Sequence, residues 1–129
     1  MGLALDNEQL LVTVNGGLDQ SNMAVQAWSD TTYQNSWVSY DPATYPAQYM
    51  KDSFGFVHLR GTVKSGTLNQ AIFTLPVGFR PTLAMLLPFK SDIVASEYIE
   101  ITNDGVVAYH GVSSPTWVSL DSITFQAEQ

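Results

Sequence analysis

Six aromatic rings, Trp28, Tyr33, Trp37, Tyr40, Tyr45 and Tyr49, crowd a 22-residue segment that otherwise holds mainly Asp, Asn, Gln, Ser and Thr. Rings with polar neighbours suit saccharides, because apolar sugar faces stack on an aromatic ring while amides and carboxylates satisfy the hydroxyls. A second such place is "HGVSSPTW", His110 to Trp117, which resists regular structure and is flanked by Tyr109 and Trp117. The candidate ligand-binding residues are therefore Trp37, Tyr40, Tyr45, Tyr49, Tyr109 and Trp117. The competing use of each ring is to fill the core or a subunit interface, since a small β domain depends on large apolar side chains.

Catalytic patterns are weaker. Glycoside hydrolysis needs two carboxylates across a cleft, but Asp41, Asp52, Glu100 and Asp104 sit where turns or strand faces account for them. Ser113 and Ser114 stand beside His110, yet triads are assembled in space rather than by sequence proximity, and no G-x-S-x-G occurs. His58 and His110 are far apart, with no H-x-H or H-E-x-x-H spacing, no cysteine and no D-x-D-x-D-G calcium loop. A non-enzymatic chain without metal or cofactor is expected.

Composition narrows the class. A chain of 129 residues that is 45% hydrophobic and 13% charged has the length and apolar content for one domain. Five Lys and Arg against twelve Asp and Glu give a formal charge of −7, which repels a phosphate backbone, so nucleic acid is not an expected partner. No apolar run reaches the roughly 18 residues of a membrane span, and no membrane insertion is expected.

The elements that must position these rings read as β-strands. "FGFVHLRGTVKSG" puts Phe56, His58, Arg60, Thr62 and Lys64 on one face and Val57, Leu59, Gly61 and Val63 on the other. "NQAIFTL", "TLAMLLPFK", "SEYIEIT", "GVVAYHGV" and "TWVSLDSITF" supply further strands between Gly, Pro, Ser and Asn turns, and Asn103-Asp104-Gly105 signals a hairpin. One short strand, Ser36 to Tyr40, is expected in an otherwise long loop before Met50, and "LLVTV" near the start is another candidate. The expected class is all-β, an antiparallel sandwich. Between two of the strands lies "FTLPVGFRPT", Phe73 to Thr82. Pro76 ends one strand, Gly78 permits reversal, and Pro81 biases Arg80 to an extended conformation. Arg80 is expected to pair within this protein or across a subunit boundary rather than with a ligand.

The connector also carries a resemblance. Gly55, Val57, Leu59 and Gly61, then Gly66-Thr67, then Leu75, Pro76, Gly78, Phe79, Arg80 and Pro81, then Asn103, Asp104 and Gly105, and finally Trp117 and Leu120 follow one another in an order that resembles the distal domain of tailed-bacteriophage tail-fibre and receptor-binding proteins. The resemblance spans roughly residues 28 to 125 and is most specific at the connector. It implies a jelly-roll-like β-sandwich head (28–129) behind an N-terminal arm from a fibre shaft (1–27), in which "NGGLDQSNMA" resembles the shaft-proximal feed. It further implies a homotrimer at the virion tip, extracellular when acting, in contact with other tail or baseplate proteins and with a host surface polysaccharide or teichoic-acid-type glycan. His58, Arg60 and Arg80 are the expected trimer or structural contacts. Two alternatives to a receptor-binding head stand beside it: a structural tip or trimerisation cap with no ligand, and a monomeric carbohydrate-binding module of a bacterial enzyme.

Overall fold

The computed structural model describes residues 27–93 and 97–128, and every regular element among them is a β-strand. The strands are β1 (Ser29–Asp30), β2 (Val38–Ser39), β3 (Gln48–Lys51), β4 (Phe56–Arg60), β5 (Thr62–Lys64), β6 (Gln70–Thr74), β7 (Met85–Leu87), β8 (Lys90–Ser91), β9 (Tyr98–Ile101), β10 (Val106–His110), β11 (Val118–Ser119) and β12 (Thr124–Gln126). They form three four-stranded sheets ordered β1-β3-β4-β12, β2-β5-β11-β8 and β6-β10-β9-β7, and all pairings are antiparallel. The "LLVTV" strand and the "NGGLDQSNMA" arm lie outside the described residues.

The first two sheets are joined by two chain runs that bend from one into the other. The alternation read across residues 56–64 holds, with Val57, Leu59 and Val63 all buried, but the run bends at Gly61 and passes from one sheet to the other as β4 and β5. Gly61 has φ +108°, and a Cβ there would lie 2.3 Å from the Pro46 carbonyl oxygen, so both its conformation and its close approach require glycine. The partner run bends at the same level. "TWVSLDSITF" is two strands, β11 and β12, and the ladder continues across the bend through Leu120 N–H to Gly61 O at 2.8 Å and Leu59 N–H to Ile123 O at 3.0 Å. "TLAMLLPFK" is likewise split into β7 and β8, with Pro88, which has no N–H to give a ladder, between them.

The third sheet supplies the other wall of the core. Ile72, Phe73, Ile99, Ile101, Val107 and Tyr109 form one buried cluster with Trp37, Val57, Leu59, Val63, Val118, Leu120 and Phe125, consistent with a β-sandwich. Each such side chain contributes roughly 1.5–3 kcal/mol by leaving water. The Asn103-Asp104-Gly105 signal is realised as the β9–β10 hairpin. Thr102 N–H donates to Val106 O, and Gly105 adopts φ +88°.

The Phe73–Thr82 connector is a tie point for three segments. Phe79 N–H closes a turn on Pro76 O, Gly78 N–H donates to the Glu128 carboxylate at 2.7 Å, and Lys51 Nζ donates to Gly78 O at 2.7 Å. Arg80 Nε donates to Leu75 O at 2.9 Å, and its chain lies against Gly105, where a Cβ would come within 2.8 Å of that nitrogen. Its backbone carbonyl accepts from Glu128 N–H. The charged knot thus joins the end of β6, the β9–β10 hairpin and the C-terminal segment, which is structural pairing within the chain.

Candidate functional site

Side-chain parity on the β2-β5-β11-β8 sheet builds the site. Residues paired across antiparallel strands point to the same side. Ser39, Val63 and Val118 pair with one another and point inward; all three are buried. The row one residue along is Thr62, Ser119 and Lys90, joined by pairing of Ser119 to both neighbours, and it takes the opposite side, with Ser119 half-buried, Lys90 exposed and Thr62 buried beneath the surface of that side. Tyr40 extends that row, since its N–H donates to Thr62 O at 2.8 Å. Trp117 is two residues before Ser119 and takes the same side.

A groove runs over this outward face. One lobe, of about 450 Å³, is lined by Tyr40, Tyr45, Thr62, Lys90, Trp117, Ser119 and Asp121. A second, of about 460 Å³, is lined by Ala43, Thr44, Tyr45, Pro46, Arg60, Gly61 and Asp121. Tyr45 and Asp121 belong to both, so the lobes meet at a saddle between these two residues. The first lobe is mainly apolar and the second mainly polar.

The rim is held by backbone bonds rather than by chance packing. Asp41 caps its own loop by accepting from Ala43 N–H at 3.1 Å and the Thr44 hydroxyl at 3.0 Å, while its carbonyl accepts from Tyr45 N–H at 2.7 Å. The Tyr45 carbonyl in turn accepts from the Ser39 hydroxyl and from Thr62 N–H. Those bonds fix the backbone from which the Tyr45 ring projects, edge-to-face with Tyr40 at 6.0 Å between centroids. Asp121 is oriented by accepting Gly61 N–H at 2.8 Å. On the far rim, Asp92 accepts Thr116 N–H at 2.8 Å and Trp117 N–H at 3.4 Å. Hydrogen bonding from Thr116, then from the Trp117 N–H, holds the Asp92 carboxyl below its ordinary value.

No protein-family model, curated protein or solved structure matches this chain.

Of the six candidate rings, the structure brings Tyr40, Tyr45 and Trp117 together around the groove, with Tyr40 and Tyr45 about two-fifths exposed. The other three lie away from it, two of them buried and Tyr49 partly buried. Trp37 is 2% exposed with Gly66 flat against its indole, and Tyr109 is fully buried, so neither offers a face to a ligand. Tyr49 points inward from β3 and packs edge-to-face on Phe79 at 5.1 Å. Alternation explains the split: Trp37 and Ser39 face in, so Tyr40 faces out.

His58, Arg60 and Arg80 all make contacts within the chain. His58 lies between Asp52 Oδ2, at 2.8 Å from Nε2, and Thr124 Oγ1, at 3.1 Å from Nδ1. Hydrogen bonding to His58, followed by the Phe56 N–H, lowers the Asp52 carboxyl below its ordinary value. Arg60 donates through Nε and Nη2 to Gln48 Oε1 and stacks over Trp28 at 4.0 Å. His110 faces Glu100 and Asn69 and stacks on Tyr98, with its ring nitrogens turned to those two residues. No group of three or more His, Asp or Glu residues among the described residues is placed to hold a metal ion.

Thr62, Lys90, Ser119 and Asp121 complete the groove and were not singled out by sequence. The parity of Thr62, Ser119 and Asp121 is legible in "GTVK" and "WVSLD", but which strands adjoin, and so the place of Lys90 beside them, is a matter of register between distant segments.

Proposed function

We propose that this chain is a non-catalytic receptor-binding head of a tailed-bacteriophage fibre or baseplate, and that it attaches a virion to a saccharide of the bacterial surface. The observation that carries the binding part of this reading is the convergence of Tyr40 and Tyr45, from one loop, and Trp117, from a segment about 70 residues on, on one open groove with hydroxyls and a carboxylate in its lining. Rings supply stacking surface; Thr62, Ser119 and Asp121 supply donors and acceptors for sugar hydroxyls. The phage setting draws on the resemblance at Leu75–Pro81, where the same residues that resemble the family pattern tie three segments of the fold together.

In this reading the head is jelly-roll-like, residues 1–27 lead from a shaft, and three copies assemble about a common axis at the virion tip. Self-association is favoured by strand β7, an edge of its sheet among the described residues, where Leu86 is 65% exposed and the preceding Leu83 is 76% exposed. Three weak saccharide sites on one trimer then act by avidity. The same edge favours a second reading, a structural tip whose surface serves assembly alone.

Binding of the purified chain to whole bacterial cells and to their isolated wall polysaccharides separates the two. A receptor-binding head loses binding in Tyr45→Ala and Trp117→Ala while the oligomer mass is unchanged. Equal binding by both variants and the unaltered chain removes the groove from the function. Light scattering that returns three times the 14.2 kDa chain mass supports the trimer, and a persistent monomer contradicts it.

A further inference from the structure

The basic residues are distributed unevenly with respect to the groove. The chain has only five Lys and Arg, set against a formal charge of −7, and all five are among the described residues. Two are committed to the fold: Lys51 donates to Gly78 O and lies over the Phe79 ring, and Arg80 donates to Leu75 O. Of the other three, two line the groove and one stands beside it. Lys90 lines the aromatic lobe, Arg60 lines the polar lobe, and Lys64 Nζ is 5.5 Å from the centre of the Tyr40 ring.

None of these three is neutralised by a carboxylate, because the ion pairs among the described residues are His58–Asp52 and His110–Glu100. The acids nearest the groove keep their charge but accept from neutral donors rather than from these cations: Asp41 from its own loop, Asp92 from Thr116 and Trp117, and Asp121, which lines both lobes, from Gly61 N–H. Arg60 is also oriented. With Nε and Nη2 on Gln48 and the guanidinium plane on Trp28, its Nη1 edge is left without a hydrogen-bond acceptor among the described residues. A planar donor held in one orientation matches carboxylate or phosphate oxygens, and a lysine adds a point charge. A neutral sugar needs hydroxyl partners and stacking but no cations, whereas three of the five cations of this acidic chain stand there without a carboxylate partner.

We infer that the groove takes an acidic glycan, one whose sugar units carry carboxylate or phosphate groups, with its rings on Tyr40, Tyr45 and Trp117 and its anionic groups at Arg60 in one lobe and at Lys90 and Lys64 in the other. This rests on the groove being the saccharide site. The two lobes, meeting at Tyr45 and Asp121, fit a chain of more than one unit, with Asp121 between the cations as a hydroxyl acceptor.

The test is calorimetric titration of the full chain with three oligomers of similar length: a galacturonic acid oligomer, a sugar-phosphate wall polymer and a neutral glucose oligomer. At least one acidic oligomer is expected to bind about tenfold or more tightly than the neutral one, and the stronger of the two acids identifies carboxylate or phosphate as the source of charge. Its affinity should weaken several-fold as salt rises from about 0.05 to about 0.5 M. Lys90→Gln should lower it about tenfold without moving the melting temperature, because Lys90 makes no side-chain hydrogen bond among the described residues. Arg60→Gln should act in the same direction. Neutral and acidic oligomers binding equally, with binding lost in Trp117→Ala, overturns the acidic ligand and leaves the groove reading standing. Acidic binding that is indifferent to Trp117→Ala and Lys90→Gln overturns both, as does no binding of any of the three.

Discussion

Tyr109 and Trp117 bracket the same loop, yet the fold puts them to opposite uses. Tyr109 points inward from β10. Its ring meets Trp37 and Phe89 edge-on at 5.9 and 5.7 Å, and its hydroxyl donates to Glu97 at 2.9 Å, with the Ser113 carbonyl at 3.2 Å. Glu97 is itself bonded by the Ser91 hydroxyl. Trp117 points outward from the start of β11, half-buried, with Asp92 on its backbone and the groove over its ring. The chemistry of the two rings is similar; what differs is whether the surroundings have already used the ring face and the polar atom. A buried ring with its hydroxyl satisfied stabilises the fold, and a ring with an open face on a braced backbone is available for a ligand.

Substitutions on the inward side should damage the fold and affect binding only indirectly, whereas those on the outward side should weaken binding and leave the fold largely intact. The largest effect is expected from Gly66→Ala. Its Cβ would fall 1.8 Å from the Trp37 indole, so the core must open, and thermal or denaturant unfolding should show a loss of about 3 kcal/mol or more. Tyr109→Phe keeps the ring but leaves Glu97 without its phenol partner, which should cost about 1–3 kcal/mol with saccharide binding by the remaining folded protein unchanged. Trp117→Ala should weaken saccharide binding about tenfold and shift stability by less than about 1 kcal/mol, measured by calorimetry and by unfolding. A Trp117→Ala variant that unfolds as readily as Gly66→Ala would erase the contrast between the two regions.

Two pH effects sharpen the same contrast. Burial, followed by the hydrogen bond to Glu97, raises the Tyr109 phenol above its ordinary value. Its stabilising contribution is fully present below pH about 10 and falls as the pH rises beyond that toward the raised value, so unfolding should ease at strongly alkaline pH in the unaltered chain and less so in Tyr109→Phe. The Asp52 carboxyl is shifted down instead, chiefly by His58. Its contribution is present above pH about 4 and is lost as the pH falls through the lowered value, and the effect should be the smallest of these because the pair is on the surface. Unfolding curves of Asp52→Asn against pH should be flatter than those of the unaltered chain at the acid end.

How far these outcomes follow from sequence depends on the scale of the pattern. The alternation of Phe56 to Lys64 settles which residues face the core, and Val57, Leu59 and Val63 are buried as that alternation implies. The hairpin at Asn103–Gly105 and the connector at Pro76–Pro81 are local turn chemistry, so their residues suffice to read them. The bend at Gly61 is not legible in the local pattern, because the room that only glycine leaves there is set by the Pro46 backbone, in a segment 15 residues away. Strands β1 and β3 were missed since neither alternates strongly, and both exist by pairing with a neighbour, Ser29 with Tyr49 and Gln48 with Arg60. For the candidate site, aromatic content points to the segment that lines the groove but not to which of its rings turn outward. Trp37 and Tyr40 are three residues apart, so alternation sets them on opposite faces, and the register with β5 decides which face is the inward one.

The most direct measurement is a two-dimensional ¹H–¹⁵N correlation experiment on the three tryptophan indole N–H groups while a wall polysaccharide digest is titrated in. The expected result is a progressive shift of the Trp117 indole signal with the buried Trp37 signal stationary. A shift of Trp37 without Trp117, or binding that moves neither, would contradict the placement of the saccharide site in the outward groove.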